Sequence, residues 1–258
     1  MPGEGRPIRH DALGQPIGEP VAGWTPPLAP PRAPSAVMAG RSCRVEILDV
    51  NRHTRDLYTA NARDGEGRMW TYLPYGPFAN FEDYTRWVHK AAAKNDPLFH
   101  AIIDVATGRA AGVASYLRID PPAGSIEVGH IAYSPLLQRS VAGTEAMYLM
   151  MRRAFELGYR RYEWKCDVLN ARSCAAARRL GFSFEGVFRQ ATVYKDRNRD
   201  TAWFAIIDVD WPVLDGAFRQ WLDPVNFDTQ GQQRVGLSSL TRIAMRSSRA
   251  REPFPPSP

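Results

Sequence analysis

The sequence has no run of 18 apolar residues, and its first nine residues lack the apolar core of a signal peptide. A membrane-spanning helix needs about 20 predominantly apolar residues, so these absences argue against a membrane protein with helical spans. We therefore expect a cytoplasmic protein that has no membrane partner.

Cysteine and histidine are also scarce. The cysteines are Cys43, Cys166 and Cys174, an odd and widely spaced set without a Cys-x-x-Cys pair, and the 5 histidines are scattered. Such a pattern favours reduced thiols and argues against a structural zinc site. We expect no metal.

The charge is mildly positive. The 258 residues contain 33 Lys and Arg against 27 Asp and Glu, a net charge of +6, and hydrophobic residues at 44% allow a sizeable core. A positive excess suits an anionic partner such as a phosphorylated small molecule, a nucleic acid or a membrane surface, without choosing among them. The positive charge is the one observation that would support a nucleic-acid-binding role.

Composition divides the chain into three parts. Residues 1–40 are rich in Pro and Gly and predict an extended arm, which is either disordered or lies across the domain surface through Trp24 and neighbouring apolar residues. Residues 41–211 predict a single domain, and residues 212–258 a C-terminal helical extension with a frayed, flexible tail from residue 242.

Alternating patterns in the middle part predict an α+β fold. Apolar residues at every second position indicate strands at residues 45–50, 99–104, 110–119, 126–133, 162–166, 184–190 and 202–208. Spacings of three and four residues indicate helices at residues 53–63, from Asn80 onward, from Thr144 to Gly158, and at 171–180. We expect a sheet of six or seven strands with interleaved helices.

The most informative stretch is residues 125–182. A strand stops at Pro135, a short polar loop follows, and a helix opens near Thr144. A loop at a helix N-terminus presents unpaired backbone N–H groups, which suit a pyrophosphate. Further on, Asn170 and Ser173 open a second helix, which ends at Leu180-Gly181-Phe182.

This order of motifs resembles the GNAT acetyltransferase superfamily, and within it the RimJ/RimL-like branch, over residues 41–211. The superfamily loop pattern is Gln/Arg-x-x-Gly-x-Gly/Ala. Here it begins at Gln138 and ends at Gly143, with Val141 in place of the middle glycine. The resemblance implies a GNAT acyl-CoA acyltransferase fold with a mixed, mostly antiparallel sheet flanked by helices. It also implies acetyl-CoA as the acyl donor, whose phosphates account for the positive charge without a nucleic acid.

By this resemblance, the strand would part from its neighbour after Tyr133, and its last backbone groups would pair with the pantetheine amides. Residues 138–144 would then hold the pyrophosphate. The implied coenzyme-binding residues are Ile131, Ala132, Tyr133, Gln138, Arg139, Ser140, Val141, Ala142, Gly143, Thr144, Asn170 and Ser173. Plain alternatives remain: a simple strand-to-helix turn for the loop, core packing for the strand and an N-cap for Asn170.

Three residues are candidates for proton transfer. RimL-like enzymes place a serine at the position of Ser173 close to the thioester sulfur, where it can protonate the departing thiolate, and Tyr194 is a rival acid. Glu127 is the candidate general base, with a salt-bridged structural glutamate as the alternative. A further glutamate of some RimL-like enzymes is replaced here by Thr192, which puts their specific substrate in doubt. Cys174 has no His and Asp partners and is expected to be a small helical residue.

The resemblance places the acceptor beside an aromatic loop. Its candidate residues are Trp70, Tyr72, Tyr75 and Phe78, which could equally be core, together with His130. A basic group at residues 189–199 is expected to be a solvated hairpin tip.

We therefore expect an N-acetyltransferase that moves an acetyl group to a primary amine by direct attack in a ternary complex. The acceptor would be an amine-bearing small molecule, which is slightly favoured, or a protein N-terminus. A homodimer is a further candidate assembly. The alternatives are a non-catalytic acyl-CoA sensor or assembly module on the same fold and, resting on charge alone, a nucleic-acid-binding protein.

Overall fold

The computed structural model describes residues 8–33 and 35–249, and within them a mixed eight-stranded sheet forms the centre of the protein. The expected mixed, mostly antiparallel sheet is confirmed. Its strands are, in spatial order, β3 (Met38–Ala39), β4 (Cys43–Ile47), β5 (Leu98–Asp104), β6 (Ala110–Asp120), β7 (Ser125–Tyr133), β8 (Arg161–Asp167), β10 (Arg197–Ile207) and β9 (Ser183–Tyr194). The short edge strand β3 was not expected, because it lies in the proline-rich arm.

Helices cover both faces of the sheet. In chain order they are α1 (Val50–Asn61), α2 (Phe81–Ala92), α3 (Val141–Glu156), α4 (Ala171–Arg179), α5 (Trp211–Leu222) and α6 (Leu237–Arg249). Helices α1 and α2 enclose one apolar cluster with the inner side chains of β5 and β6. The other four enclose a second, larger cluster on the opposite face. The protein is therefore a three-layer α/β/α structure.

Every neighbouring pair in the large sheet is antiparallel except β7 and β8. Parallel neighbours need a crossover connection, and α3 supplies it. Ser140 caps this helix by accepting a hydrogen bond from the Gly143 amide at 2.9 Å, and Gly158, with φ +95°, follows its last turn. The helix begins at Val141, three residues before the position expected from the sequence, because the serine already supplies the cap.

A buried carboxylate fixes α3 against the start of the sheet. Glu145, 4% exposed, accepts hydrogen bonds from the backbone N–H groups of Arg41 at 2.9 Å, Ser42 at 2.5 Å and Cys43 at 3.1 Å. A β-carbon added at Gly40 would lie 2.5 Å from the carboxyl carbon. The glycine and the glutamate together hold the entry into β4 on the first half of α3.

The N-terminal arm lies across the domain surface in its described part. The indole Nε1 of Trp24 donates to the Gly158 carbonyl at 3.0 Å, and the Tyr159 hydroxyl donates to the Leu28 carbonyl at 3.4 Å. The Arg160 guanidinium also lies over the Trp24 ring, 5.6 Å from its centroid. Residues 9–17 add a small hairpin of β1 (Arg9–His10) and β2 (Pro16–Ile17), and residues 1–7 lie outside the described range.

The C-terminal extension packs on α3. Tyr148 stacks on Phe218 of α5 with ring centroids 5.2 Å apart, and its hydroxyl donates to Asp215 Oδ1 at 2.8 Å. Helix α6 packs in turn on α5 and α4. The expected fraying from residue 242 is wrong for residues 242–249, because they continue α6, whereas residues 250–258 lie outside the described part. No helix in the ranges 8–33 and 35–249 is long and apolar enough to cross a membrane.

We expect Glu145→Ala to lower the free energy of unfolding by about 3 kcal/mol or more, because three backbone N–H groups lose a charged acceptor. Glu156→Ala is the matched control at the exposed end of the same helix, where the glutamate pairs with Arg152 at 3.4 Å. The control should change stability by less than about 0.5 kcal/mol. Urea unfolding followed by circular dichroism measures both, and equal losses would contradict the role given to Glu145.

Candidate functional site

The site is a gap between the two parallel strands. β7 and β8 pair from Ser125 with Arg161 to Val128 with Trp164, and in the described structure the pairing goes no further. β7 nevertheless continues to Tyr133, still paired with β6, and β8 continues to Asp167. The strands therefore part at their carboxyl ends and leave backbone groups of each facing an opening.

A β-bulge in β7 coincides with the parting. Between the pairs Val113–Ala132 and Ser115–Gly129, the single β6 residue Ala114 faces two β7 residues, His130 and Ile131. His130 has φ +50°, in the left-handed region. Since a bulge bends and twists its strand, this insertion accounts for the divergence of β7 from β8.

The end of β7 is tied to the following loop. The Ser134 amide donates to the Ala111 carbonyl at 3.2 Å, and because ladder bonds alternate, the preceding Tyr133 directs its own N–H and C=O away from β6. The side-chain amide of Gln138 donates to the Tyr133 carbonyl at 2.8 Å. Gln138 thus closes the loop on the strand, and its side chain is committed to that bond.

The loop places two unpaired backbone N–H groups at the start of α3. Arg139 has φ +58°, which turns the chain into the helix, while Val141 keeps a negative φ, as expected for a β-branched residue. The Gly143 amide donates to the Ser140 hydroxyl, but the amides of Val141 and Ala142 have no acceptor among the described residues. These two N–H groups stand at the positive end of the helix dipole, where an anion is stabilised.

Gly143 is required by close packing. A β-carbon at this position would lie 2.7 Å from the Leu137 carbonyl oxygen and 3.0 Å from the Tyr133 ring. The Tyr133 hydroxyl also donates to the Gly143 carbonyl at 2.9 Å. The last glycine of the loop motif therefore brings the helix start against the end of β7, and the missing middle glycine at Val141 is tolerated.

Helix α4 begins on the other side of the gap. The Asn170 side chain caps it by accepting from the Ser173 amide at 3.1 Å, so the N-cap role considered from the sequence is present. The Ser173 hydroxyl oxygen accepts from the indole of Trp164 at 3.0 Å. Trp164 is the last β8 residue that pairs with β7, so this bond holds the serine hydroxyl close to the point where the strands part.

Tyr194, the other candidate acid, is bound to a carboxylate. Its hydroxyl donates to Asp167 Oδ2 at 2.9 Å, at the carboxyl end of β8. Burial, followed by this hydrogen bond, raises the pKa of Tyr194. A higher pKa weakens the phenol as a proton donor.

Glu127 is buried in an ion-pair network. Its carboxylate, 3% exposed as a residue, contacts Arg118 Nη1 at 2.7 Å and Lys165 Nζ at 3.0 Å. A β-carbon added at Gly129, the first β7 residue beyond the parallel pairing, would lie 3.4 Å from Glu127 Oε1. Burial raises the pKa of Glu127, although both cations oppose that shift.

Lys165 and Arg118 were not predicted as site residues from the sequence. Lys165 Nζ also contacts Glu163 Oε2 at 2.7 Å and lies 3.6 Å from the centroid of the Trp203 ring. A signal for Lys165 was present, because every second residue of β8 is charged, from Arg161 to Asp167. Such alternation indicates a charged face of the strand, but it does not name the partners on other strands.

The aromatic loop reaches the bulge of β7. Trp70 is 5% exposed and packs edge-on against Phe78 with centroids 5.3 Å apart, so this part of the loop is core. Tyr75 stacks on His130 at 5.6 Å, and its buried hydroxyl has no hydrogen-bond partner among the described residues. The Tyr72 hydroxyl donates to the Leu169 carbonyl at 3.0 Å, just before α4. The loop therefore spans both sides of the gap.

The hairpin between β9 and β10 is anchored to the same loop. Lys195 Nζ donates to the Trp70 carbonyl at 2.8 Å, and an Arg197 Nη2 donates to the Thr71 carbonyl at 2.8 Å. Both residues remain exposed at the hairpin tip, as expected, and their side chains also contact the aromatic loop. The hairpin and the aromatic loop are therefore joined by two hydrogen bonds from side chains to backbone carbonyls.

The cysteines offer no support for a nucleophile. Cys43, Cys166 and Cys174 are all buried and free, and the sulfurs of the last two are 3.5 Å apart, a proximity that their spacing in sequence did not indicate. Burial raises the pKa of Cys166 to about 12, which keeps its thiol protonated. Across the described chain, no group of three or more His, Cys, Asp or Glu side chains could hold a metal ion.

The surroundings of His130 predict a low pKa for its imidazole. Burial is the main cause that lowers the pKa of His130 to about 4, with nearby Arg118 adding to the shift. We expect the imidazole to stay neutral at pH 7 and to gain a proton only near pH 4. NMR titration of its ring resonances, assigned by comparison with His130→Asn, tests this. A midpoint near 6.5 would contradict the buried stacking arrangement.

Comparisons with known proteins agree with this geometry. Residues 44–183 match the model of the acetyltransferase (GNAT) domain family. A GCN5-related N-acetyltransferase from Brucella melitensis is similar at 43% identity over 86% of this chain and 100% of that chain, with a TM-score of 0.83. A probable acetyltransferase of the GNAT family from Chromobacterium violaceum is similar at 40% identity over 77% and 98%, with a TM-score of 0.70. A search of curated proteins returned no match.

More distant structures share the fold. An acetyltransferase from Salmonella typhimurium, described as modifying the N-terminal serine of ribosomal protein L7/L12, is 20% identical over 66% of this chain and 98% of that chain, with a TM-score of 0.57. At this identity the likeness concerns the fold alone. The family match covers more than half of the chain, and the two nearer structures each exceed 30% identity. The chain belongs to the GNAT acetyltransferase family.

Proposed function

We propose that this protein transfers the acetyl group of acetyl-CoA to a primary amine by direct attack in a ternary complex. The observation that carries the proposal is the parting of β7 and β8 beside the unpaired amides of Val141 and Ala142. A pantetheine arm carries amides that suit unpaired strand edges, and a pyrophosphate suits a helix N-terminus. The two features lie next to each other, as one elongated ligand requires.

The residues at the gap fit this donor. In the proposal, the amides of Val141 and Ala142 bind the pyrophosphate, with Arg139 and Thr144 beside them, and the backbone of residues 131–133 pairs with the pantetheine. A backbone N–H of the same stretch polarises the thioester carbonyl. The bound coenzyme supplies an activated acetyl group. No covalent acyl-enzyme is invoked, since all three cysteines are buried.

Ser173 is the preferred proton donor to the departing thiolate. Its oxygen is held by the Trp164 indole, which leaves the hydroxyl hydrogen to be donated elsewhere. Tyr194 already donates to Asp167 and has a raised pKa, so it is the weaker candidate. A thiol has a pKa of about 8.5, so this assistance is modest near neutral pH.

Glu127 is the proposed general base. A primary amine is mostly protonated at neutral pH and must lose a proton before it attacks. Burial raises the pKa of Glu127 towards the operating pH, while Lys165 and Arg118 oppose that shift by favouring the ionised form. A proton could pass to it directly or through water.

The proposed acceptor is a small amine rather than a protein N-terminus. The aromatic loop is joined to Leu169 by Tyr72 and to the β9–β10 hairpin by Lys195 and Arg197, so two neighbouring segments hold it beside the gap. Tyr75 and His130 offer an aromatic, uncharged wall that can accept an apolar or cationic group. Some RimL-like enzymes carry a glutamate at the position of Thr192, and this difference also argues against a protein N-terminus as the acceptor.

The function is tested by combining binding with product analysis. We expect acetyl-CoA to bind in calorimetry and mass spectrometry to detect acetylated product from at least one small primary amine in a mixed panel. N-terminal peptides serve as the competing class of acceptor. Binding of acetyl-CoA without turnover on any amine would favour a sensor or assembly module, and product from peptides alone would overturn the choice of acceptor.

The role of Glu127 predicts a pH effect. Below its pKa the base carries a proton, so kcat/KM of the wild type should fall as pH falls through that value. Glu127→Gln should lower kcat by about 100-fold and remove this part of the profile. Glu163→Gln is the control, because it also removes a partner of Lys165. Equal losses in both variants would mean that Glu127 acts through Lys165 and not as a base.

A further inference from the structure

A second cavity lies outside the gap. It has a volume of about 610 Å³ and is formed by α4, the start of β9 and α6. Four arginines line it, Arg178, Arg179, Arg242 and Arg246, and its described lining contains no Asp or Glu. The volume is within the range of about 300–1,000 Å³ that is typical of small-molecule sites.

The four arginines that line the cavity lack acidic partners among the described residues. Within the described side chains, none of them has a carboxylate within 4 Å, whereas Arg161, for example, contacts both Glu163 and Glu185. Arg242 and Arg246 are four residues apart on α6, a spacing at which like charges destabilise a helix. Four unpaired cations around one cavity create a strongly positive potential, which an anion would relieve.

Arg179 connects this cavity to the loop at the start of α3. Its Nη1 donates to Thr144 Oγ1 at 3.2 Å, in the first turn of that helix, and its guanidinium lies 5.3 Å from the centroid of the Trp221 ring. Burial lowers the pKa of Arg179, because the charged form is partly removed from water. Arg179 therefore links the lining of the cavity to the first turn of α3.

The cavity also has surfaces for a nucleoside. Ala175, Phe182 and Met245 contribute apolar area, and Ser238 contributes a hydroxyl. Arginine guanidinium planes stack on nucleobases as well as pairing with phosphate. A ligand that combines a ring system with phosphate would use both kinds of surface.

We propose that this cavity binds the 3′-phosphoadenosine end of coenzyme A, so that α6 is part of the donor site. The inference rests on the proposed function, which places the pyrophosphate at the adjacent start of α3. The family match ends at residue 183, whereas Arg242 and Arg246 come from the C-terminal extension. The extension would thus add a phosphate contact of its own to the shared domain.

The test compares acetyl-CoA with acetyl-dephospho-CoA, which lacks the 3′-phosphate. In calorimetry, the wild type should bind acetyl-CoA more tightly, and the double variant Arg242→Ala/Arg246→Ala should weaken that binding by about 10- to 100-fold. The double variant should bind acetyl-dephospho-CoA with an affinity within about twofold of the wild type, because this ligand lacks the phosphate that the two arginines would contact. The charge-matched control is Arg63→Ala/Arg109→Ala, two exposed residues that do not line the cavity.

Other outcomes are decisive as well. Equal weakening of both ligands in the double variant, or no weakening of either, would overturn the proposal. Adenosine 3′,5′-bisphosphate should compete with acetyl-CoA; simultaneous binding of the two would mean a separate nucleotide site and would also overturn it. Failure of the wild type to bind acetyl-CoA would instead refute the proposed function. Thermal unfolding of each variant checks that α6 remains folded.

Discussion

The structure depends on a parallel strand pair that stops early. β7 and β8 share a ladder from Ser125–Arg161 to Val128–Trp164, and beyond it each strand continues beside a different neighbour. Backbone polar groups left without partners are costly unless water or a ligand satisfies them. The bulge at His130 maintains this opening, since a regular β7 would continue along β8 and close it.

Much of the remaining architecture keeps the opening rigid. Glu145 ties α3 to the entry of β4, Gly143 allows the start of α3 to contact the end of β7, and Trp164 holds the hydroxyl of Ser173 beside the parting point. Each of these contacts joins a helix that begins at the gap to a strand of the sheet or to the residues that lead into one. A site built on strand and helix ends that are fixed in this way needs little rearrangement to accept an elongated ligand.

The sequence predicted the features that local chemistry determines. Ser140, Gly143 and Asn170 lie in short motifs whose turn and cap geometry is specified within a few residues, and the alternation in β7 and β8 identified both strands. The Lys165 contact with Glu127 and the hairpin contact of Lys195 with Trp70 were not predicted, because they join residues 38 and 125 positions apart. Such pairs depend on register and twist, which a single sequence does not specify.

The distribution of charge links the two faces of the sheet to two chemical tasks. On the face covered by α3 and α4, Arg179 remains without a carboxylate among the described residues and meets the helix start through Thr144, so its charge is directed towards an anion. On the opposite face, Lys165 and Arg118 form ion pairs with Glu127, so their charge favours the ionised form of that carboxyl group instead of attracting a ligand. The arginines that line the cavity beside α6 have no carboxylate partner among the described residues, so their field favours a ligand that places its anionic end there. The aromatic wall of Tyr75 and His130, which is the proposed approach for an amine, lies on the sheet face covered by α1 and α2, opposite the face that carries this cavity.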